Sequence, residues 1–332
     1  MSRLEAEYVL PLRWSGTTPD DAELAELSAY LVTLAGVLDV TVVDGSDPDT
    51  FAVHARAWGR HVRHLRPQPW PGRNGKVAGV VTGVRAARHE HVVIADDDVR
   101  YDRVALGAVL DALRTADLVR PQNVFAPLPW HARWDTGRTL LNRALGHDYP
   151  GTFGLRRSTF VAMGGYDGDV LFENLELART VQAFGGTERH LPDVFVRRVP
   201  PSTRHFLGQR VRQAYDDLAQ PVRLVTELAV LPGCVGLALW RPSWLLVVLA
   251  GVVLLAEAGR RRAGGARVFG RTAALWAPAW VAERGVCVWL AVAERARGGV
   301  RYAGSRVPRA ASSVRTLRRR IAHQEKEPAC GS

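Results

Sequence analysis

A chain of 332 residues has room for one large domain, or for one domain with an appendage, and its 47% apolar content is ample for a core. The net charge of +11 first suggests nucleic acid, but its placement excludes that partner: from Glu257 onward 16 basic residues stand against 5 acidic ones, whereas residues 1–256 carry 28 of each. A neutral domain followed by a basic tail fits an anionic membrane surface instead.

At the N-terminus Arg3, Glu5 and Glu7 interrupt the apolar run that a signal peptide needs, so the first domain is expected to stay in the cytosol. Tyr8 to Leu12 reads as a strand. Thr18-Pro19-Asp20-Asp21 opens a helix, with a hydroxyl cap, Pro in the first turn and an acid three residues after the Thr. Leu24, Leu27, Leu31 and Leu34 recur at three and four residues, and Gly36 ends the helix. Val37 to Val43 is a second strand, Phe51 to Gly59 a second helix, and His61 to Leu65 a third short strand. A Pro-rich loop (Arg66 to Gly75) leads to a helix over Lys76 to Ala87. His91 to Ala95 is a fourth strand that runs into Asp96-Asp97-Asp98, followed by a helix from Asp102 to Leu113 and a strand at Leu118 to Arg120. Repeated β-α-β with near-continuous apolar strands predicts an α/β fold whose parallel sheet is covered on both faces.

From Pro121 to Pro150 the pattern loses regularity, and Trp130, His131, Trp134 and Asp135 crowd together. Residues 172–184 read as a helix closed by Gly185-Gly186, and 203–220 as another ending at Pro221. The most apolar stretch, Leu228 to Ala256, is broken at Trp240-Arg241-Pro242 into halves shorter than the roughly 20 residues a full span needs. Arg260, Arg261, Arg262, Arg267 and Arg271 follow it directly, and the positive-inside rule favours a hairpin over a single span with Arg241 in the bilayer. Thr272 to Ala293, with Trp276, Trp280 and Trp289 and the interruption Glu283-Arg284, suits a segment lying in the headgroup zone. The expected division is therefore a catalytic domain over 1–222, a transmembrane or re-entrant hairpin over 223–257, basic interfacial helices over 258–320, and a disordered tail over 321–332. Cys234, Cys287 and Cys330 are odd in number and far apart, which points to a reducing compartment and to no zinc site.

Three adjacent carboxylates at a strand's carboxyl end stand where open α/β sheets bind ligands. They repel one another unless a cation compensates, and such hard oxygens suit Mg2+ or Mn2+ shared with phosphate. A solvated acidic turn capping the next helix would look the same, so the neighbours decide. Val40 to Asp47 ends another strand with acids at its tip. Asn74-Gly75-Lys76 opens a helix whose first amides can face a phosphate. Lysine occurs only at Lys76 and Lys326, so a compact ammonium at that helix start stands out in an arginine-using chain.

Asp44-Gly45-Ser46-Asp47 after a strand, then Gly75-Lys76, then Asp96-x-Asp98, resembles the nucleotide half of family-2 glycosyltransferases of the GT-A fold. Gly154-Leu155-Arg156-Arg157-Ser158 through Gly164-Gly165-Tyr166-Asp167 is similar to the stretch that joins the nucleotide and acceptor halves. Phe172-Glu173-Asn174-Leu175-Glu176 falls where the family has a Glu-Asp pair, and Gln209-Arg210-Val211-Arg212-Gln213 resembles the Gln-x-x-Arg-Trp of membrane-associated members. The resemblance spans about residues 6–220. It implies a Rossmann-like, mostly parallel catalytic domain followed by C-terminal membrane-associated helices, acting on a nucleotide-sugar donor.

The resemblance also implies roles. Asp44 would contact uracil or ribose, Asp96 the ribose and Lys76 the nucleotide or phosphates, with Asp47 and Asp97 beside them. Asp98, with Asp96, would hold the metal, and Gln209 and Arg212 would steady the diphosphate or the acceptor. Read from the residues alone, Trp130, His131 and Trp134 form either an acceptor platform or the packing of a long loop, and His205 is either a further metal ligand or a structural or surface histidine. Two departures stand out. Asn174 replaces the family's usual base and cannot accept a proton, leaving Glu173, with Glu176 on the same helix face, as the substitute. Gln213 replaces Trp, which favours single additions over processive synthesis. The expected activity is inverting sugar transfer to a lipid or glycolipid acceptor at the cytosolic face of the cell membrane. Transfer to a polyprenyl phosphate, or nucleotide-sugar binding without transfer, is the alternative.

Overall fold

The computed structural model describes residues 3–14, 21–302 and 304–324. The predicted helix start at Thr18 and the tail beyond Gln324 lie outside them. The first half runs β1 (Glu7–Leu12), α1 (Asp21–Ala35), β2 (Asp39–Asp44), α2 (Pro48–Trp58), β3 (Arg63–Leu65), α3 (Gly75–Ala86), β4 (His91–Ala95), β5 (Val99–Arg100) and α4 (Arg103–Ala112). Next come β6 (Leu118–Phe125), α5 (Trp130–Leu145), β7 (Thr152–Arg156), α6 (Arg157–Ala162), α7 (Glu173–Phe184) and β8 (Glu188–Arg198). Last are α8 (Thr203–Gly208), α9 (Arg210–Tyr215), α10 (Pro221–Trp240), α11 (Pro242–Arg261), α12 (Ala277–Ala296), β9 (Val300–Tyr302), β10 (Ser305–Val307) and α13 (Val314–Gln324).

Two compact units interleave along the chain: unit 1 holds Met1–Pro121, Pro150–Val196 and Ser312–Ser332, and unit 2 holds Gln122–Tyr149 and Arg197–Ala311. This cuts across the linear division expected from sequence, because α5 groups with the C-terminal helices and the last helix returns to unit 1.

Unit 1 is mixed α/β. Its sheet has the order β3-β2-β1-β4-β7-β6-β8-β5. β3, β2, β1 and β4 are parallel, as expected, but β7 enters antiparallel to both β4 and β6, so the sheet is parallel only on one side. Side chains alternate across β1. Tyr8, Leu10 and Leu12 meet Leu27, Leu31 and Leu34 of α1 and Leu106 and Val109 of α4, whereas Val9 joins Val77, Val80 and Val84 of α3 and Leu177 and Val181 of α7. The sheet is thus covered on both faces, each buried Val or Leu contributing about 1.5–3 kcal/mol. Small residues let α3 lie close: a Cβ on Gly83 would stand 2.3 Å from Val9 Cγ1, and one on Gly79 2.9 Å from Pro11 Cβ. That closeness delivers Lys76 to the carboxyl edge of the sheet.

Unit 2 is helical apart from its short strands. Helix α5 occupies the stretch in which the sequence pattern lost regularity. Its buried face mixes Ala132, Leu140 and Leu141 with His131, Asp135, Thr136, Thr139 and Arg143, so no continuous apolar period marks it. Arg138 joins Asp135 at 3.2 Å and Asp148 at 2.8 Å. Burial works to raise the Asp135 pKa, but the Arg138 and Arg210 guanidiniums outweigh it and hold the carboxyl at about 2. Arg143, 1% exposed, donates to Gly259 O at 3.1 Å and to Gln122 Oε1 at 3.0 Å.

The predicted helix over 203–220 is instead α8, α9 and a 3-10 turn at Asp216–Ala219. α10 and α11 meet at Arg241, where the hairpin bend was expected, but each is 20 residues long, not a shorter half. Both are long and apolar enough to cross a membrane. They are not core helices, since Val222, Leu239, Trp240, Leu246 and Leu254 are among the exposed side chains. α12, expected to lie flat in the headgroup zone, turns Trp280, Arg284 and Val288 inward, and Arg284 pairs with Asp217 at 3.0 Å, while the large apolar Val286, Trp289 and Leu290 are exposed.

Candidate active site

The parallel strands end on one edge, with Leu12 opposite Asp44 in register and Asp96-Asp97-Asp98 directly after β4. All three carboxylates of the triplet are partly buried. The turn is shaped by Val99 N donating to Asp96 O at 3.1 Å and Asp96 N donating to Gly151 O at 2.9 Å.

Lys76 is the centre of the arrangement. Its Nζ lies 2.5 Å from Asp96 Oδ1 and 2.5 Å from Glu173 Oε1. Burial alone would push the ammonium towards neutrality, but the Asp96 and Glu173 carboxylates outweigh it and raise its pKa far above the ordinary lysine value. Local structure fixes the three partners. Asn74 caps α3 by accepting from Lys76 N at 3.1 Å and donates through Nδ2 to Val170 O at 3.2 Å. Trp70 Nε1 donates to Tyr166 O at 3.0 Å, tying the Pro-rich loop to the segment that leads into α7. Gly164 and Gly165, with φ of 75° and 91°, supply the left-handed turn that segment needs. Sequence reasoning named Asn74 only as part of a helix start and missed Trp70. The Asn-Gly pair ahead of a helix was the available signal for a cap.

Several expected site residues have other duties. Asp44 is 0% exposed; His54 Nδ1 stands 2.7 Å and His64 Nε2 3.1 Å from its Oδ2, and Ser46 N donates to Oδ1 at 2.9 Å. Burial acts to raise its pKa, and the two histidines and Ser46 overturn that and hold it well below the carboxylate range. It shapes the strand tip and offers a nucleobase no surface. Asp47 caps α2, accepting from Asp49 N at 3.1 Å and Thr50 N at 3.0 Å. Asp97 accepts from Trp14 Nε1 at 2.9 Å. Glu176 is 0% exposed and accepts from Ser312 N at 2.5 Å, so it anchors the chain's return and is closed to substrate. Asn174 Nδ2 donates to Pro150 O at 3.5 Å.

In unit 2, His131 is buried between Pro201 O at 2.8 Å and Thr203 Oγ1 at 3.2 Å, a structural role that removes it from an acceptor platform. Trp130, 44% exposed, packs edge-on against Trp134 and Phe206. His205 contacts Gln209 in a groove lined by five arginines, a setting that opposes a metal cation. Arg212 lies over the Tyr302 ring at 5.3 Å.

The donor set around β4 fits a hard divalent cation in part. Asp96 and Asp98 offer carboxylate oxygens one residue apart, and with Asp97 and Glu173 they exceed the single charge of Lys76. No group of three or more His, Cys, Asp or Glu poised for a metal occurs among the described residues.

No protein-family profile and no curated protein matches the chain. Among solved structures it is similar to a mannosyltransferase from Pyrobaculum calidifontis in complex with GDP-Man and Mn2+, at 19% identity over 87% of this chain and 88% of that one, with a TM-score of 0.48. It is similar also to glucosyl-3-phosphoglycerate synthase from Mycobacterium tuberculosis in complex with phosphoglyceric acid, at 15% identity over 60% and 74%, with a TM-score of 0.39. A mycobacterial protein stands at 16% identity over 63% and 72%, with a TM-score of 0.39. Likenesses this distant say nothing of the chain's chemistry, which rests on its own residues.

Proposed function

We propose that this chain is a metal-dependent, inverting glycosyltransferase that takes a sugar from a nucleotide-diphosphate donor. The observation that carries the reading is Lys76, whose ammonium joins Asp96 of the acidic triplet to Glu173 at the start of α7. Three motifs far apart in sequence, and resembling the same family, converge on one cation at the sheet edge. Asp96 binds the ribose of a uridine-linked donor, and Asp98 with Asp96 would hold Mg2+ or Mn2+. Such an ion, when bound, would supply positive charge to the departing diphosphate. Lys76 adds a fixed positive charge beside that leaving group. Glu173 takes the proton of the acceptor hydroxyl as its oxygen bonds to the anomeric carbon, and the bond to the diphosphate breaks with its electron pair. An alternative, donor binding without transfer, is favoured by Asn174, which cannot act as base.

A donor panel containing uridine- and guanosine-linked sugars tests this reading through metal-dependent thermal stabilisation. One donor should stabilise the chain only with Mg2+ or Mn2+, and Asp98→Ala should abolish the metal-dependent part. Stabilisation that Asp98→Ala leaves intact would remove the metal assignment. Hydrolysis or transfer from the stabilising donor distinguishes an enzyme from a silent binder.

The acceptor in this reading is lipid-linked, and α10 and α11 anchor unit 2 at the cytosolic face of the cell membrane. Two exposed apolar helices beside an arginine-rich sequence support it. The chain should stay with the membrane fraction after an alkaline carbonate wash. Full release into the supernatant would exclude spanning helices.

A further inference from the structure

Within unit 2, α8, α9, the end of α12 and the β9–β10 hairpin wall an open groove of about 1070 Å³. Five arginines line it (Arg204, Arg212, Arg297, Arg301 and Arg306), against the single carboxylate of Glu294. That carboxylate is already engaged: Arg297 Nη1 lies 3.1 Å from Oε1 and Arg306 Nη1 3.0 Å from Oε2. Arg212 has only the face of Tyr302, and Arg204 and Arg301 are exposed, with no ion-pair partner among the described residues. Guanidiniums sharing a concave surface repel one another unless an anion lies between them. Their planar donors match phosphate oxygens in pairs, a match that a lysine ammonium does not offer, and no lysine lines this groove. The volume exceeds that of a lone phosphate ion, leaving room for an attached group.

We propose that this groove is a binding site for a phosphate monoester or diphosphate, carried by a free phosphorylated metabolite or by a lipid headgroup. The motif resemblance accounts for Gln209 and Arg212 but not for Arg204, Arg297, Arg301 and Arg306, whose charge the proposal explains. The site stands whether or not the chain transfers sugar.

The test uses the full chain in detergent with EDTA present, so that a metal-dependent donor site is silent, and inorganic pyrophosphate as the calorimetric probe. Pyrophosphate should bind, and the exposed pair R204Q/R301Q should weaken it by about tenfold or more, the loss expected for charge-assisted hydrogen bonds. R318Q/R319Q, on exposed α13, should leave it unchanged. The source is read with phosphatidylcholine vesicles lacking or containing phosphatidic acid. A headgroup site gives a preference for phosphatidic acid that pyrophosphate competes away and R204Q/R301Q lacks. A metabolite site gives pyrophosphate binding with a vesicle preference equal in both proteins. No pyrophosphate binding, or equal binding by the wild type and R204Q/R301Q, would overturn the proposal.

Discussion

Lys76→Met should cost the protein about 3 kcal/mol of stability and most of its donor affinity. The ammonium contacts Asp96 and Glu173 at 2.5 Å each, and the three side chains are 22%, 21% and 12% exposed. Removing one partner of a largely buried ion pair leaves uncompensated charge and costs roughly 3–5 kcal/mol; partial exposure puts this case at the lower end. The expected melting decrease is roughly 5–10 °C for a chain of this class. The pKa shift fixes the pH window. Because the folded-state pKa of Lys76 is raised, its contribution is complete below the unfolded value of about 10.4 and is lost only as pH rises through the higher folded pKa. The deficit of Lys76→Met should therefore be constant from neutral pH to about 9. Adding Glu173→Gln should restore part of it, because one of the two stranded charges is then gone, and a coupling of about 1 kcal/mol or more is expected. A melting temperature within a degree of wild type would show that the bridge does not bear on the fold.

Glu173→Gln alone should lower kcat by about 10²–10⁴-fold with a neutral acceptor, the range for losing a general base, with donor affinity changed little. Its Oε1 accepts from Lys76, so in the proposed reaction Oε2 would take the acceptor proton. Gln keeps the shape and the hydrogen-bonding reach but cannot take a proton. Glu176→Gln is the informative comparison, since Glu176 is fully buried and bound to Ser312 N. It should lower stability rather than kcat at a permissive temperature. If Glu173→Gln turns over at the wild-type rate on a neutral hydroxyl, the base lies elsewhere. If it does so only on a phosphate acceptor, the acceptor needs no base.

How much of this was legible in sequence follows from how local each signal is. The strands that feed Asp44 and Asp96 and the glycine-led start of α3 are written in short apolar runs and caps, and they stand where the pattern put them. Helix α5 was not legible because polar Thr139 and Arg143 interrupt its buried apolar residues, and their partners Asp148, Gln122 and Gly259 lie outside the helix. The identity of the acids was legible, but their duties were not. Asp44 looked like a binding residue until His54 and His64 closed over it, and Glu176 looked like a second carboxylate of the site until Ser312, 136 residues away, took its oxygen. Conversely, the isolation of Lys76 in composition pointed to a special position, and only the fold reveals that two carboxylates share it.

The strap that returns to unit 1 has a consequence for how the protein is made. Ser312 N binds Glu176, Arg179 donates to Ser312 O at 2.8 Å, and Arg320 on α13 meets Asp167 at 2.8 Å. At synthesis rates of about 5–20 residues per second, α7 waits roughly 7–27 s between its own emergence and that of its anchor 136 residues later. During that interval the ribosome produces α10 and α11, so both apolar helices are made before Glu176 gains its partner. The order of translation thus leaves a buried carboxylate of α7 without its backbone donor until the two apolar helices have been synthesised.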